Sequence, residues 1–275
     1  MLALDRGRAM AYLVGELDVL GYRWAYRTVD SRFTGVPQRR RRVLLVASKT
    51  DDPRDVLFAD DGGARDETEL DGAAAYGFYW TEGRGGLGWA RDAVPTLKSG
   101  STVGIPSPPA VWVPTAHPGR KLVTPRIEDA EQLQGFARGW TGPADGRARN
   151  GPRWKLVGNA VTVDVAAWVA GRLVSPGRSA AESTVWTGTG SWPVAAWGER
   201  GTVRAAAVSE YPLSAPYTSL LAVVDHASAP ALSNRGVTGF WRRLQQGNLG
   251  RHPGFREDVV EHMEVTGHGM APLAV

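Results

Sequence analysis

The sequence predicts an α/β fold, and three stretches near its start carry that prediction. Residues 6–20 place Ala9, Tyr12, Leu13, Leu17 and Leu20 mainly three to four positions apart, the period of a helix that buries one face, and Gly21 stops it. Tyr22, Trp24, Tyr26 and Thr28 alternate as a half-buried strand does. After a turn at Thr34, Gly35 and Pro37, residues 43–47 form an uninterrupted apolar run, the pattern of a strand covered on both faces. The connection between these two strands is too short for a crossover, so they are expected to pair antiparallel.

The remaining elements follow in order. Residues 51–71 turn to Asp, Glu, Arg and Gly without periodicity and read as a loop. Residues 72–118 are rich in Gly, Pro, Trp and Tyr, with nothing regular enough for a helix, and are expected to hold loops and short strands. Thr124 is placed to cap a helix starting at Pro125, with Ile127, Ala130 and Leu133 inward and Gly135 ending it. Residues 145–152 read as a polar loop, and Val161, Val165, Trp168 and Val169 as an amphipathic helix ending near Leu173. Past residue 174 the composition changes again. Trp186, Trp192 and Trp197 lie in Gly- and Pro-broken sequence. Val237, Phe240, Trp241 and Leu244, then Phe255, Val259 and Met263, mark two helices expected to pack onto the first domain.

Composition narrows the function. At 275 residues the chain is long enough for about two domains. No apolar run reaches the roughly 18 to 20 residues of a membrane span, and residues 1–10 lack the order of a signal peptide, so a soluble, cytoplasmic protein is expected. Cysteine is absent, which excludes disulfides, thiolate metal sites and cysteine nucleophiles for this chain acting alone. The five histidines are scattered without metal-ligand spacing, so no metal site is expected. A net charge of +4 is compatible with a polyanionic partner. The 28 arginines against four lysines match what a GC-rich genome imposes, and guanidinium forks also suit phosphates and guanine edges.

The sharpest local feature is Gly35-Val36-Pro37-Gln38-Arg39-Arg40-Arg41-Arg42. On an extended chain Gln38, Arg40 and Arg42 project to one face and Arg39 and Arg41 to the other, offering an amide and two cations in a row to a phosphate backbone. A plain edge strand kept soluble by charge is the competing account.

This run resembles the Gln-x-Arg-x-Arg motif of DNA (cytosine-5) methyltransferases. Two further segments follow in that family's order. Arg120-Lys121-Leu122-Val123-Thr124-Pro125-Arg126 with Ala130-Glu131-Gln132-Leu133-Gln134-Gly135-Phe136 is similar to its Arg-x-Leu-Thr-x-Arg-Glu and Leu-Gln-Gly-Phe-Pro elements. Leu156-Val157-Gly158-Asn159-Ala160-Val161 is similar to its closing Gly-Asn-Ser/Ala-Val motif. Departures are one extra residue near Val123, Ile127 beside the usual Glu, and Ala137 in place of Pro. The resemblance covers about residues 1–173.

What it implies is a partial Rossmann-like methyltransferase domain (1–50 and 119–173), an inserted, irregular, mainly β and loop target-recognition domain (51–118), and a C-terminal helical extension (174–275). It implies double-stranded DNA as partner and S-adenosylmethionine as cofactor. By resemblance Arg42 would face an everted cytosine, with Arg40 supporting the strand or the DNA backbone and Gln38 in a supporting part, and Asn159 and Ala160 would wall the methionine end of the cofactor pocket. Expected DNA contacts are Arg39, Arg41, Arg120, Arg126 and the Thr-Leu segment Thr96, Leu97, Lys98 and Ser99, continuing through 100–102, with Trp80 or Trp89 available for base stacking. The family's cofactor loop, Pro-Cys nucleophile and Glu-Asn-Val carboxylate have no counterpart in this chain. It is therefore expected to be inactive alone and to work with a complementary methyltransferase chain docked against the open edge at 1–47. A non-catalytic DNA-binding protein and a truncated remnant are the alternatives.

Overall fold

Helix α1 (Arg8–Val19) follows a short 3-10 turn and buries Met10 and Val14. It leads into β1 (Arg23–Asp30), the pair β2 (Gln38–Arg39) and β3 (Arg41–Ser48), and the single turn α2 (Arg54–Leu57). Short strands β4 (Tyr76–Phe78), β5 (Ala90–Arg91), β6 (Val94–Pro95), β7 (Ala110–Trp112) and β8 (Leu122–Val123) come next, then α3 (Ile127–Leu133), α4 (Pro152–Asn159) and α5 (Val163–Val174). The tail contributes β9 (Ser183–Val185), β10 (Ala195–Glu199), β11 (Thr202–Ala206), α6 (Leu220–Val223), α7 (Asn234–Gln246) and α8 (Phe255–Gly267). The computed structural model describes residues 2–65, 74–82, 86–99, 108–146 and 152–267. Two units result: residues 1–35, 40–65 and 163–216 form the first, and 36–39, 66–162 and 217–275 the second.

The first unit is built on an antiparallel sheet in the order β3-β1-β10-β11-β9. The expected antiparallel pairing is there, with Trp24 opposite Ala47 and Tyr26 opposite Leu45. Alternation along β1 sorts its side chains: Trp24 and Tyr26 join Met10, Val14 and Trp192 on one face, while Ala25 and Val29 join Phe33, Leu57, Phe58, Val165 and Trp168 on the other. Two expectations need correction. Residues 43–47 are half-buried rather than covered on both faces, because β3 is an edge of this sheet. Within the expected loop, Val56, Leu57 and Phe58 are core residues; of that stretch 66–71 lie outside the described residues.

What pulls this segment in is Arg27, fully buried on β1, which donates to the carbonyls of Leu57 (2.9 Å), Asp60 (2.6 Å) and Ser209 (2.8 Å) and pairs with Asp61 at 3.1 Å. Burial lowers its pKa to about 10, and Asp61 and Asp60 act against that shift. The guanidinium stays charged while satisfying carbonyls that would otherwise be orphaned. Asp60 in turn accepts from Trp168 Nε1 (2.9 Å) and Arg172 Nε (2.6 Å), fixing α5.

In the second unit a sheet ordered β5-β4-β7-β8 is covered on both faces. Val111 and Val113 face a cluster with Leu97, Leu133, Val157, Leu220 and Val224, whereas Trp112, Tyr76 and Phe78 face Val237, Phe240, Leu244, Phe255 and Val259. The tail is therefore not a separate helical block, nor do its two late helices join the first unit. Its strands β9–β11 complete the first sheet, and α7 and α8 cover the aromatic face of the second. The helical periodicity was legible; the partner was not, since an apolar stripe does not name the face it meets.

Three smaller readings also change. Thr124 does not cap α3: Arg126 is the N-cap residue, its N–H donating to Asp129 at 2.9 Å. The polar loop ends earlier than expected, with α4 starting at Pro152. Among the described helices, residues 152–174 are long and apolar enough to cross a membrane by length and composition, contrary to the expectation that no stretch is. They form two helices, α4 and α5, separated at 160–162.

His262 on α8 is fully buried, with Nε2 bonded to the Leu232 carbonyl at 2.8 Å and no hydrogen-bond partner for Nδ1 among the described residues. Burial pushes its pKa below the ordinary value near 6.5, outweighing the Leu232 bond. The unfolded chain takes up a proton there that the folded chain resists, so this contribution to stability is present above about 6.5 and is lost as pH falls through it. Urea denaturation between pH 7 and 5.5 is expected to show the loss, and His262→Leu to flatten it.

Candidate DNA-recognition and cofactor-side site

The parallel pair β2–β6 sets Gln38 opposite Val94 and Arg39 opposite Pro95, bringing the first motif beside the recognition segment. Gln38 is fully buried. Its Oε1 accepts from Leu97 N at 3.0 Å, and its Nε2 donates to the Leu133 carbonyl at 2.9 Å and to Gln134 Oε1. Gln134, also fully buried, donates from Nε2 to the carbonyls of Val157 (3.2 Å) and Ala160 (2.6 Å). Thr162 Oγ1 lies 3.4 Å from Gln134 Oε1. A side-chain amide supplies donors and an acceptor at two separate atoms without a charge to desolvate, which suits glutamine to both positions.

Backbone geometry completes the junction. α3 stops because Gly135 takes a φ of +86°, turning the chain just after Gln134. Gly158 lies against the 98–99 peptide, where a Cβ would stand 2.4 Å from Lys98 C and from Ser99 N. Glu131, fully buried on α3, accepts from Gly139 N (2.5 Å), Thr141 N (2.8 Å) and Arg153 Nη2 (3.0 Å). Burial alone would raise its pKa, yet these bonds hold it below the usual carboxylate value. Glu131 thereby ties α3 to α4.

The cations divide by environment. Arg40 is buried and its carbonyl accepts from Ser31 N at 2.9 Å. Arg41 pairs with Glu210, and Arg42 is exposed, with Nη1 on the Arg41 carbonyl at 2.8 Å. Arg120 Nη2 donates to the carbonyls of His226, Ala227 and Ala229 at 2.6 to 2.8 Å, and Arg126 to that of Ser228.

The profile of the C-5 cytosine-specific DNA methylase family matches residues 1–69. The type II methyltransferase M2.BsuMI of Bacillus subtilis (strain 168) is 45% identical over 253 residues, 88% of this chain. In these residues the chain is similar to the C-5 cytosine-specific DNA methylase family. It spans 63% of that relative's length. No solved structure matches it.

Several expected contacts take other positions. Gln38, Arg40 and Arg42 do not form one exposed row: Gln38 and Arg40 are turned inward, and only Arg42 reaches solvent. Leu97 is core, not a DNA contact, and Thr96 bonds within the fold, its hydroxyl to the Arg39 carbonyl at 3.2 Å and its own carbonyl to Tyr79 OH at 2.8 Å. Lys98 lies 4.1 Å over the Tyr79 ring and pairs with Glu82, while Ser99 is exposed. Arg120 and Arg126 clamp the 226–229 turn rather than presenting free forks. Arg39 is half-buried and Asn159 exposed at the end of α4. Trp80 donates to the Pro108 carbonyl and Trp89 packs on Tyr76 and Phe255, so both serve the fold. Residues 100–102 and His268 lie outside the described residues, among which no acidic, His or Cys cluster could hold a metal.

Sequence reasoning missed the parts played by Gln134 and Glu131, although both stood inside a quoted motif. Gln134→Leu removes one of the two acceptors of the Gln38 amide and the side-chain donor to the Val157 and Ala160 carbonyls, and is expected to cost about 2 to 4 kcal/mol in urea denaturation. Gly158→Ala should displace the 97–99 backbone while leaving the first unit intact, read as faster amide exchange confined to that segment.

Proposed function

We propose that this chain is the target-recognising and C-terminal portion of a DNA cytosine-5 methyltransferase, holding duplex DNA and one wall of the S-adenosylmethionine pocket. A complementary polypeptide segment supplies the attacking cysteine, the cofactor loop and the Glu-Asn-Val carboxylate. One observation carries this reading: three family motifs, in order and joined through buried Gln38 and Gln134, occur in a chain with no cysteine. Attack on a pyrimidine C6 needs a soft, readily ionised nucleophile, which neither serine nor histidine provides.

In this reading the target cytosine leaves the duplex and Arg42 faces it, with Arg40 stiffening the strand behind. Lys98 and Ser99 meet phosphate and base edges, and Gly158 and Gln38 hold their backbone in place. Asn159 presents an exposed amide beside Ala160, whose carbonyl Gln134 fixes, and this pair suits one wall of the methionine end of the cofactor site. S-adenosylmethionine, when bound, supplies the methyl group; this chain's residues orient it and exclude water on that side. The complementary segment seats along β3, the sheet edge whose outer side no described strand covers, by adding a strand there. The compartment expected for such a protein is the cytoplasm.

Purified chain incubated with duplex DNA and labelled S-adenosylmethionine is expected to transfer no methyl group. Adding a polypeptide that carries the Pro-Cys and Glu-Asn-Val motifs should produce methylation at one short sequence. Label transferred by the chain alone would overturn the proposal. If the chain is instead a DNA-binding protein without catalysis, it binds its site tightly alone and mixing adds nothing.

A further inference from the structure

The tail carries a charge pattern that the methyltransferase reading does not use. Between Asp225 and Glu257 there is no acidic residue and there are five arginines, a larger excess of positive charge than the +4 of the whole chain. The structure sorts these five. Arg243 donates to the Trp80 carbonyl at 2.9 Å and Arg256 to the Leu249 carbonyl, so both are engaged in the fold. Arg235, Arg242 and Arg251 are exposed and, among the described residues, make no ion pair. By contrast Arg23, Arg27, Arg41, Arg54, Arg153 and Arg172 each hold a carboxylate.

Helix geometry places two of the three together. Val237, Phe240 and Leu244 are buried against the second sheet, which turns the opposite face of α7 outward. Arg235 and Arg242 are seven residues apart, two turns on one face, about 10 Å along the axis. The same helix abuts the recognition segment through one aromatic step. A Cβ on Gly236 would stand 3.2 Å from the Trp80 ring, and the adjoining Tyr79 hydroxyl bonds to the Thr96 carbonyl while its ring lies beneath Lys98.

We infer that the solvent face of α7, through Arg235 and Arg242 with Arg251 beyond its end, is a second duplex-DNA contact that grips phosphates next to the recognition segment. It rests on the DNA reading above and deepens it by giving the tail a role. Guanidinium groups without carboxylate partners give up no ion pair when they meet phosphate, and each phosphate neutralised releases counterions. Such contacts hold the duplex without reading its sequence.

The test is duplex binding by the full chain across a salt series, comparing wild type with the R235Q/R242Q double variant and with R8Q/R178Q, which removes equal charge from exposed positions of the first unit. Loss of two phosphate contacts should lower the slope of log K against log salt by about 1.8 and weaken binding roughly ten- to a hundredfold near 0.1 M salt, equally for all sequences. The first-unit variant should bind like wild type. Wild-type binding with an unchanged slope in R235Q/R242Q overturns the α7 contact alone and leaves the DNA reading standing. An equal drop in both variants overturns it as well, by reducing it to net charge. Wild type that binds no duplex at any salt overturns both readings.

Discussion

Two side-chain amides that share one buried hydrogen-bond network hold the second unit together. Gln38 brings the first motif to the recognition segment through Leu97 and to α3 through Leu133, and Gln134 carries the same network on to Val157 and Ala160 at the end of α4. The two amides stand 96 residues apart in sequence, and their network reaches from position 38 to position 160. A buried amide left without its partner costs far more than a single hydrogen bond gains, so all these segments must be correctly seated together.

The first unit solves a similar problem with charge. Arg27 gathers three carbonyls and a carboxylate around one buried guanidinium, and Asp60 passes the constraint to α5. A neutral amide suffices where the partners are two or three dipoles; a cation is used where several carbonyls converge and a carboxylate is near enough to offset its desolvation. Both devices place polar side chains inside the fold, at positions where a reading of exposed basic residues would look for DNA contacts.

That contrast marks what was legible in the sequence. Periodicity gave α1, β1, α7 and α8 and the antiparallel pairing of β1 with β3, because a 3.6- or 2-residue repeat is a local property. It did not reveal that β3 lies at an edge or that the tail supplies three strands to one sheet and two helices to the other, because those depend on which distant surface needs covering. Motif order pointed to the family whose profile matches residues 1–69. It did not reveal that Gln38, Arg40 and Leu97 are buried or that Arg120 and Arg126 are engaged by the 226–229 turn, since a side chain rich in donors satisfies buried carbonyls as readily as it meets solvent or phosphate.

The sheet order β3-β1-β10 has a consequence for biosynthesis. Tyr26 pairs with Ala196 across 170 positions of chain, so the inner edge of β1 waits for most of the polypeptide to leave the ribosome. At about 5 to 20 residues per second that delay is roughly 10 to 30 s. During it an unpaired aromatic strand is available to neighbouring nascent chains, so yield on overexpression should depend on translation speed and on chaperones that shield such edges.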